Sequence, residues 1–307
     1  MGWFSDFFDD VFDFVEDVVN TVVDFVGDVF DFVGDIIGFV IAPFGAFDTP
    51  QAPDPGEQAR GVTVTKQGTN VAIPVVYGYR RVGGSIVFAE SNGESNKYLY
   101  IVYAICEGEI QGVRKLIVND VELPVRGGNH HQHGTVYTVT SGRFKDYMKY
   151  QIFNGKESQA QSSLANETPT WPKKRRRLPG IAYCVCRFER KQPTTADESV
   201  PFSGGIPNVQ FDVYGKKVYD VRTHGSGKDL SGTYASRTKG YSFNPANCLL
   251  DYMENSRYGA GIDKSQIDAE AFKIAANKYE QTVEYSNKQT GRAMTMNAVI
   301  DTKQKVL

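Results

Sequence analysis

The first forty residues contain ten Asp or Glu and no Lys or Arg, and they carry an apolar seam at Phe4, Phe8, Val11, Val15, Val18, Val22, Phe25, Val29, Phe32, Ile36 and Phe39. Spacings of four and three alternate along it without a break, which is the heptad pattern of a helix whose stripe meets another apolar surface. Asp6, Asp10, Asp13, Asp17, Asp24, Asp28, Asp31 and Asp35 fall on the opposite side. Fully burying a Val or Phe side chain is worth about 1.5–3 kcal/mol, so eleven seam positions offset the weak helix propensity of these residues once a partner is present. β-Branched residues at one heptad position and Phe25, Phe32 and Phe39 at the other suit three or more strands better than a tight dimer.

Rival readings of this segment are weaker or remain open. A secretory signal needs a basic start, whereas the chain begins Met-Gly-Trp-Phe-Ser-Asp. Myristoylation needs Ser or Thr where Asp6 stands. A helix lying on a membrane is the serious rival because the apolar face is wide, widened further by Phe12, Val19, Val26, Val33 and Val40; against it, such helices usually carry Lys and Arg. The charge-free run 36–47 is too short to span a bilayer.

The text then changes character. Residues 43–60 form a Pro/Gly linker around Pro43, Pro50, Pro53 and Pro55. Strand-like runs follow at 62–65, 71–77, 84–89, 98–106, 116–121, 134–141, 181–188, 209–213 and 217–219, with a turn at Asn119-Asp120. Helices are expected only near the end, from Pro245 to about Glu254 behind Asn244 as N-cap, and from Ala269 to about Thr282 behind Asp268. A strand over 294–300 precedes the start of another helix at Asp301, so the chain reads as ending inside a domain. The expected class is α+β: an amphipathic helix over 1–42, the linker 43–60, a β-rich domain of short strands over 61–240, and the start of an α+β domain over 241–307.

Few residues suggest chemistry. His131 and His133 lie in a glycine-flanked run and would share one side if extended, where several copies could offer them to a metal; the plainer expectation is an exposed loop with solvated histidines. Lys173, Lys174, Arg175, Arg176 and Arg177 form the densest basic run, expected to pair with acidic neighbours in an assembly. Cys184 and Cys186 should face one way in a strand, and the four scattered cysteines read as buried free thiols. Glu107 and Glu109 have no second group to make an acid/base pair. No nucleophile motif or phosphate loop is present, so an enzyme and a bound cofactor are not expected, nor is sequence-specific nucleic-acid binding.

Several ordered motifs carry a family resemblance. Ile73-Pro-Val-Val-Tyr-Gly-Tyr-Arg-Arg-Val-Gly-Gly84 and Lys97-Tyr-Leu-Tyr-Ile-Val-Tyr-Ala-Ile-Cys-Glu-Gly-Glu-Ile-Gln-Gly112 resemble the amino-terminal hub of the tail-tip attachment proteins of long-tailed phages, the family that includes phage lambda's host-specificity protein. Asn244-Pro-Ala-Asn-Cys-Leu-Leu-Asp-Tyr-Met-Glu-Asn-Ser-Arg-Tyr-Gly-Ala-Gly261, Arg177-Leu-Pro-Gly-Ile-Ala-Tyr183 and Gly205-Ile-Pro-Asn-Val209 fit the same pattern, over roughly residues 60–307. The resemblance implies a structural protein of the virion's tail tip, assembled in the host cytoplasm. It implies a threefold hub that closes the distal end of the tail tube and contacts the tape-measure protein and the distal tail protein during DNA delivery. The acidic first helix is not part of that pattern. Packed around a threefold axis, it would plug the channel or hold the tape-measure protein; the alternative is a membrane-active helix that meets the host membrane during ejection.

Overall fold

The computed structural model describes residues 66–67 and 72–300, apart from 124–130, 172–176, 192–199, 203–205, 225–229, 231–237 and 286–287. Its centre is β5 (Tyr98–Glu107), ten residues of which eight in succession are buried. An edge or half-solvated strand would alternate; this one is covered on both faces. Leu99, Ile101, Tyr103 and Ile105 point into a core shared with a second sheet, while Tyr100 and Val102 pack with Phe153, Tyr183 and Val185 beneath Leu164, Ala165 and Trp171 of the 155–180 connection.

β5 belongs to a six-stranded sheet in the order β1 (Lys66–Gln67), β4 (Ser85–Asn92), β5, β10 (Ile181–Glu189), β9 (Met148–Asn154), β8 (Val136–Thr138). All its pairings are antiparallel except β1 with β4. The second sheet is built on β11 (Val209–Tyr219), flanked on one side by β6 (Ile110–Val118) and then β7 (Val121–Leu123). On the other side β3 (Tyr79–Gly83) pairs residues 210–214 and β12 (Lys239–Tyr241) pairs residues 217–219. Val209, Phe211 and Val213 of β11 meet Ile110, Val113 and Leu116 of β6 and the inner face of β5. The chain passes from one sheet to the other at Gly83–Gly84, where a Cβ on Gly84 would lie 2.6 Å from the Cβ of Tyr103. Asn119 and Asp120 both take positive φ in the two-residue β6–β7 turn, as a tight hairpin matched to strand twist requires.

Two helices follow, α1 (Pro245–Glu254) and α2 (Ala269–Tyr279), each opened by a side-chain cap: Asn244 accepts from the amide of Ala246, and Asp268 from that of Ala271. They pack with Tyr219, Val221 and Leu230. A hairpin of β13 (Thr282–Glu284) and β14 (Thr290–Arg292) comes next, and β15 (Ala298–Ile300) returns to pair antiparallel with β2 (Val75–Tyr77), Ile300 opposite Val75. The first and last strands of the stretch 72–300 therefore lie side by side.

This corrects the expected α+β class. Strands dominate the described residues, with two α-helices against fifteen strands. The part after β12 contributes three of those strands: β13 and β14 pair with each other, and β15 pairs back onto β2 of the body. The long helix expected over 1–42 lies outside the described residues, as does the linker over 43–60.

Candidate assembly interface

Four buried polar side chains join the helical layer to the sheets. Lys216 leaves β11 and reaches Asp251 of α1, its Nζ 2.9 Å from Oδ1 and 2.7 Å from Oδ2. Tyr77 of β2 donates to the same carboxylate at 2.6 Å, and Tyr258, in the turn after α1, does so at 2.7 Å. Lys216 Nζ also contacts the Tyr258 hydroxyl and lies 4.6 Å from the centre of its ring. Burial, then the Asp251 carboxylate, pushes the Tyr77 phenol far above its ordinary range, so it remains a donor. The cluster satisfies the carboxylate from three sides and pairs its charge, which makes burial of the ions tolerable.

The backbone around the cluster is shaped to admit it. A Cβ on Gly108 would stand 2.5 Å from Cε of Lys216, and Gly108 itself has φ +90°. Gly259 closes the Arg257-Tyr258-Gly259 turn onto α1; a Cβ there would fall 1.8 Å from the carbonyl oxygen of Tyr252. Arg257 pairs outward with Glu107 at 3.1 Å, and burial raises the Glu107 carboxyl above its usual value. Glu109 pairs with Lys217 at 2.7 Å. The motif following α1 is thus a structural lock.

What the lock holds outward is an apolar groove between the two helices, lined by Pro245, Ala246, Leu249, Phe272, Ala275 and Tyr279. Leu249 is 49% exposed and Ile274 68% exposed, although each stands on a helix whose other face is packed. Exposed aliphatic side chains beside an apolar groove have the character of a contact surface for another protein.

The residues singled out in the sequence separate. His131 is buried, its Nδ1 3.2 Å from the Tyr150 hydroxyl, with its ring edge-on to Tyr137 and Tyr150. His133 is half-buried; its Nδ1 accepts from the amide of Asn154 at 2.9 Å, and its ring meets Phe153. Tyr150 and Phe153 project from opposite faces of β9, so the two imidazoles do not share a side. The backbone turns over 132–135, with Gly134 at φ +72°, and packed rings stand where solvated histidines were expected. Among the described residues no group of three His, Cys, Asp or Glu converges as a metal site would require. Arg177 is exposed, and its carbonyl accepts from Gln159 Nε2; Lys173, Lys174, Arg175 and Arg176 lie outside the described residues. The seam from Phe4 to Phe39 lies outside them as well. No helix among the described residues is long and apolar enough to cross a membrane. All four cysteines are free and buried, with Cys184 and Cys186 on one face, their sulfurs 3.6 Å apart. Burial pushes the Cys106 and Cys248 thiols up to about 12.

Sequence reasoning missed the lock. Tyr77, Lys216, Asp251 and Tyr258 are dispersed over more than 170 residues, and the one available signal was a lysine and an aspartate set among apolar neighbours.

The chain is similar to a phage baseplate hub protein. That relative is the baseplate hub protein pb3 of Escherichia phage T5, 25% identical over 310 residues, which take in 80% of this chain and 31% of the T5 protein. The chain thus spans about a third of that relative's length. The likeness supports the phage tail hub character read from the sequence and supplies nothing peculiar to the lambda protein. Among solved structures, a chain of the virion of the native gene transfer agent particle aligns over 91% of this chain and 64% of its own length, with a TM-score of 0.39 and 16% identity. No family model matches the chain.

Proposed function

We propose that this protein is a structural component of a phage tail hub, a scaffold and not a catalyst, built into the virion at the tip of the tail. The observation that carries this reading is the similarity to the T5 baseplate hub protein over four fifths of the chain. Two structural features support it. The doubly covered centre of the six-stranded sheet gives a stiff body, and the α1–α2 groove presents apolar surface of the kind that a neighbouring tail protein covers. In the fuller form of the proposal the chain assembles as a homotrimer, closes the distal end of the tail tube, and has the tape-measure and distal tail proteins as neighbours, which is what the family resemblance implies.

The experiment is to raise antibody against the purified chain, label intact virions by immunogold electron microscopy, and grow the phage with a stop codon in the gene. Gold confined to one tail end, with loss of finished tails in the mutant, is the expected result. Label on capsids, or normal tails without the protein, refutes the reading. Light scattering on the purified chain tests the trimer separately.

A further inference from the structure

An aromatic and arginine stripe runs across the second sheet on the face turned away from its core. It begins at Arg114, whose guanidinium lies 5.8 Å from the ring centre of Tyr79. Tyr79 lies 5.0 Å from Tyr214, Tyr214 is 5.5 Å from Tyr241, and Tyr241 is 5.8 Å from Phe243. Arg292 closes the line, its guanidinium 4.1 Å from the Phe243 ring centre. The rings are half-buried and the two terminal arginines exposed. Arg114 owes its position to a β-bulge: Asp212 pairs Lys115 and Val213 pairs Val113, so Arg114 is the extra residue. A bulge of this kind re-aims a side chain. Arg81 is fixed beside the stripe by a forked pair to Asp212 at 2.6 and 3.0 Å.

Tyrosine and arginine on rigid strands are the residues that dominate protein contact surfaces. Three observations select the occupant. The first is charge: residues 1–59 carry thirteen Asp or Glu and no Lys or Arg, and the whole chain is −2, so residues 60–307 carry +11 (−2 less −13). The second is composition: residues 1–42 intersperse ten acids with Trp3 and a run of phenylalanines, matching both the guanidinium and the ring character of the stripe. The third is the tether. The continuously described chain starts at Ala72, seven residues before Tyr79, and the 23 residues of 43–65 can span up to about 75 Å. A segment so tethered meets the stripe at an effective concentration in the millimolar range, at which individually weak contacts suffice.

We propose that the acidic, phenylalanine-rich segment 1–42 docks on the Arg114–Tyr79–Tyr214–Tyr241–Phe243–Arg292 stripe of its own chain. Docking neutralises part of the basic body and covers its aromatic platform. The test places photo-reactive benzoylphenylalanine at position 25 of the full-length chain, irradiates, and maps the cross-links by mass spectrometry. Intramolecular cross-links to peptides containing Tyr79, Tyr214 or Tyr241 are expected, with a yield that falls at least fivefold in 0.5 M salt, where exposed charges are screened. The R114E/R292E double variant should lose yield similarly and R114K/R292K should keep most of it. Cross-links to the α1–α2 groove or any other site, cross-links only between chains, or a yield indifferent to salt overturn the proposal. So does displacement-free capture of duplex DNA by the stripe, seen as DNA binding lost in R114E/R292E while the cross-link persists. If R114E/R292E does not fold, as judged by circular dichroism, the cross-link map and salt response of the unaltered arginines decide the question alone.

Discussion

Replacing Lys216 by Met removes one ion of the buried cluster while keeping most of the side chain's volume. Lys216 and Asp251 side chains are 6% and 5% exposed, so solvent cannot take over the lost partner. Breaking a buried pair by removing one member costs about 3–5 kcal/mol. Here Asp251 keeps two donors, Tyr77 at 2.6 Å and Tyr258 at 2.7 Å, which places the expected loss near the lower end, about 3 kcal/mol. At about 2–4 °C per kcal/mol for a body of this size, the melting temperature should drop by about 6–12 °C. Asp251→Asn alone should cost a similar amount because it strands the ammonium. The double variant removes both charges and leaves an amide oxygen to accept from the tyrosines, so it should cost only about 1–2 kcal/mol. Urea unfolding of all four proteins by circular dichroism supplies the cycle. A Lys216→Met loss below about 1 kcal/mol with an unchanged slope, or single losses that simply add, would falsify the view that this pair is buried and mutually dependent.

Other consequences are open to simple assays. Gly259→Ala forces a Cβ against the Tyr252 carbonyl, and should lower stability by about 3 kcal/mol in the same urea titration. The four buried thiols should resist Ellman's reagent at pH 8 in the native protein and all react once it is unfolded, since burial holds Cys106 and Cys248 at about 12 and protonated; fast native labelling of any of them would contradict their placement. Burial, aided by Lys156, lowers the pKa of His133 below 6.5 in the folded state. The unfolded chain then binds the extra proton first, so stability falls as pH drops from about 6.5 through the lower folded value. Melting curves between pH 7 and 5 should show that loss in the native protein and a reduced loss in His133→Asn, whose amide oxygen can still accept from Asn154.

The strands were legible where both composition and burial were extreme. Residues 98–106 and 181–188 are almost wholly β-branched, aromatic or Cys, and they became β5 and β10, the doubly covered centre of the body. Asn244-Pro245 and Asp268 marked both helix starts correctly, because a cap is a local device. Short edge strands were not legible: 134–141 yielded only Val136–Thr138, since its register is set by β9 and not by its own residues. The second helix stops at Tyr279 and not at Thr282 because Thr282 pairs with Arg292. The histidines were misplaced because their surroundings come from β9, some twenty residues on, and from a turn at Gly134 that local composition did not reveal. The stripe escaped notice for a related reason, as its six members come from five strands and one connection.

The lock and the two outward surfaces answer one physical problem. An apolar groove or an aromatic stripe left open to water tends to collapse onto the nearest apolar neighbour unless the elements beneath it are held elsewhere. α1 shows how that is avoided: Leu250 and Asp251 point inward, one into the small core around Val221 and the other into the buried cluster, and Leu249 just before them is left outside. Only two residues of α2 are buried, Ala269 and Ala276, so apolar packing alone holds it weakly. Asn244 compensates by capping α1 while donating to the carbonyl of Ala276, which ties the two helices through a buried hydrogen bond. Tyr241 and Phe243 of the stripe directly precede that residue. The same short stretch, 241–251, therefore carries the end of the stripe, the cap, one wall of the groove and the carboxylate of the lock. Weakening Asp251 should loosen both surfaces together, whereas altering Leu249 or Arg292 should change what binds without changing what folds.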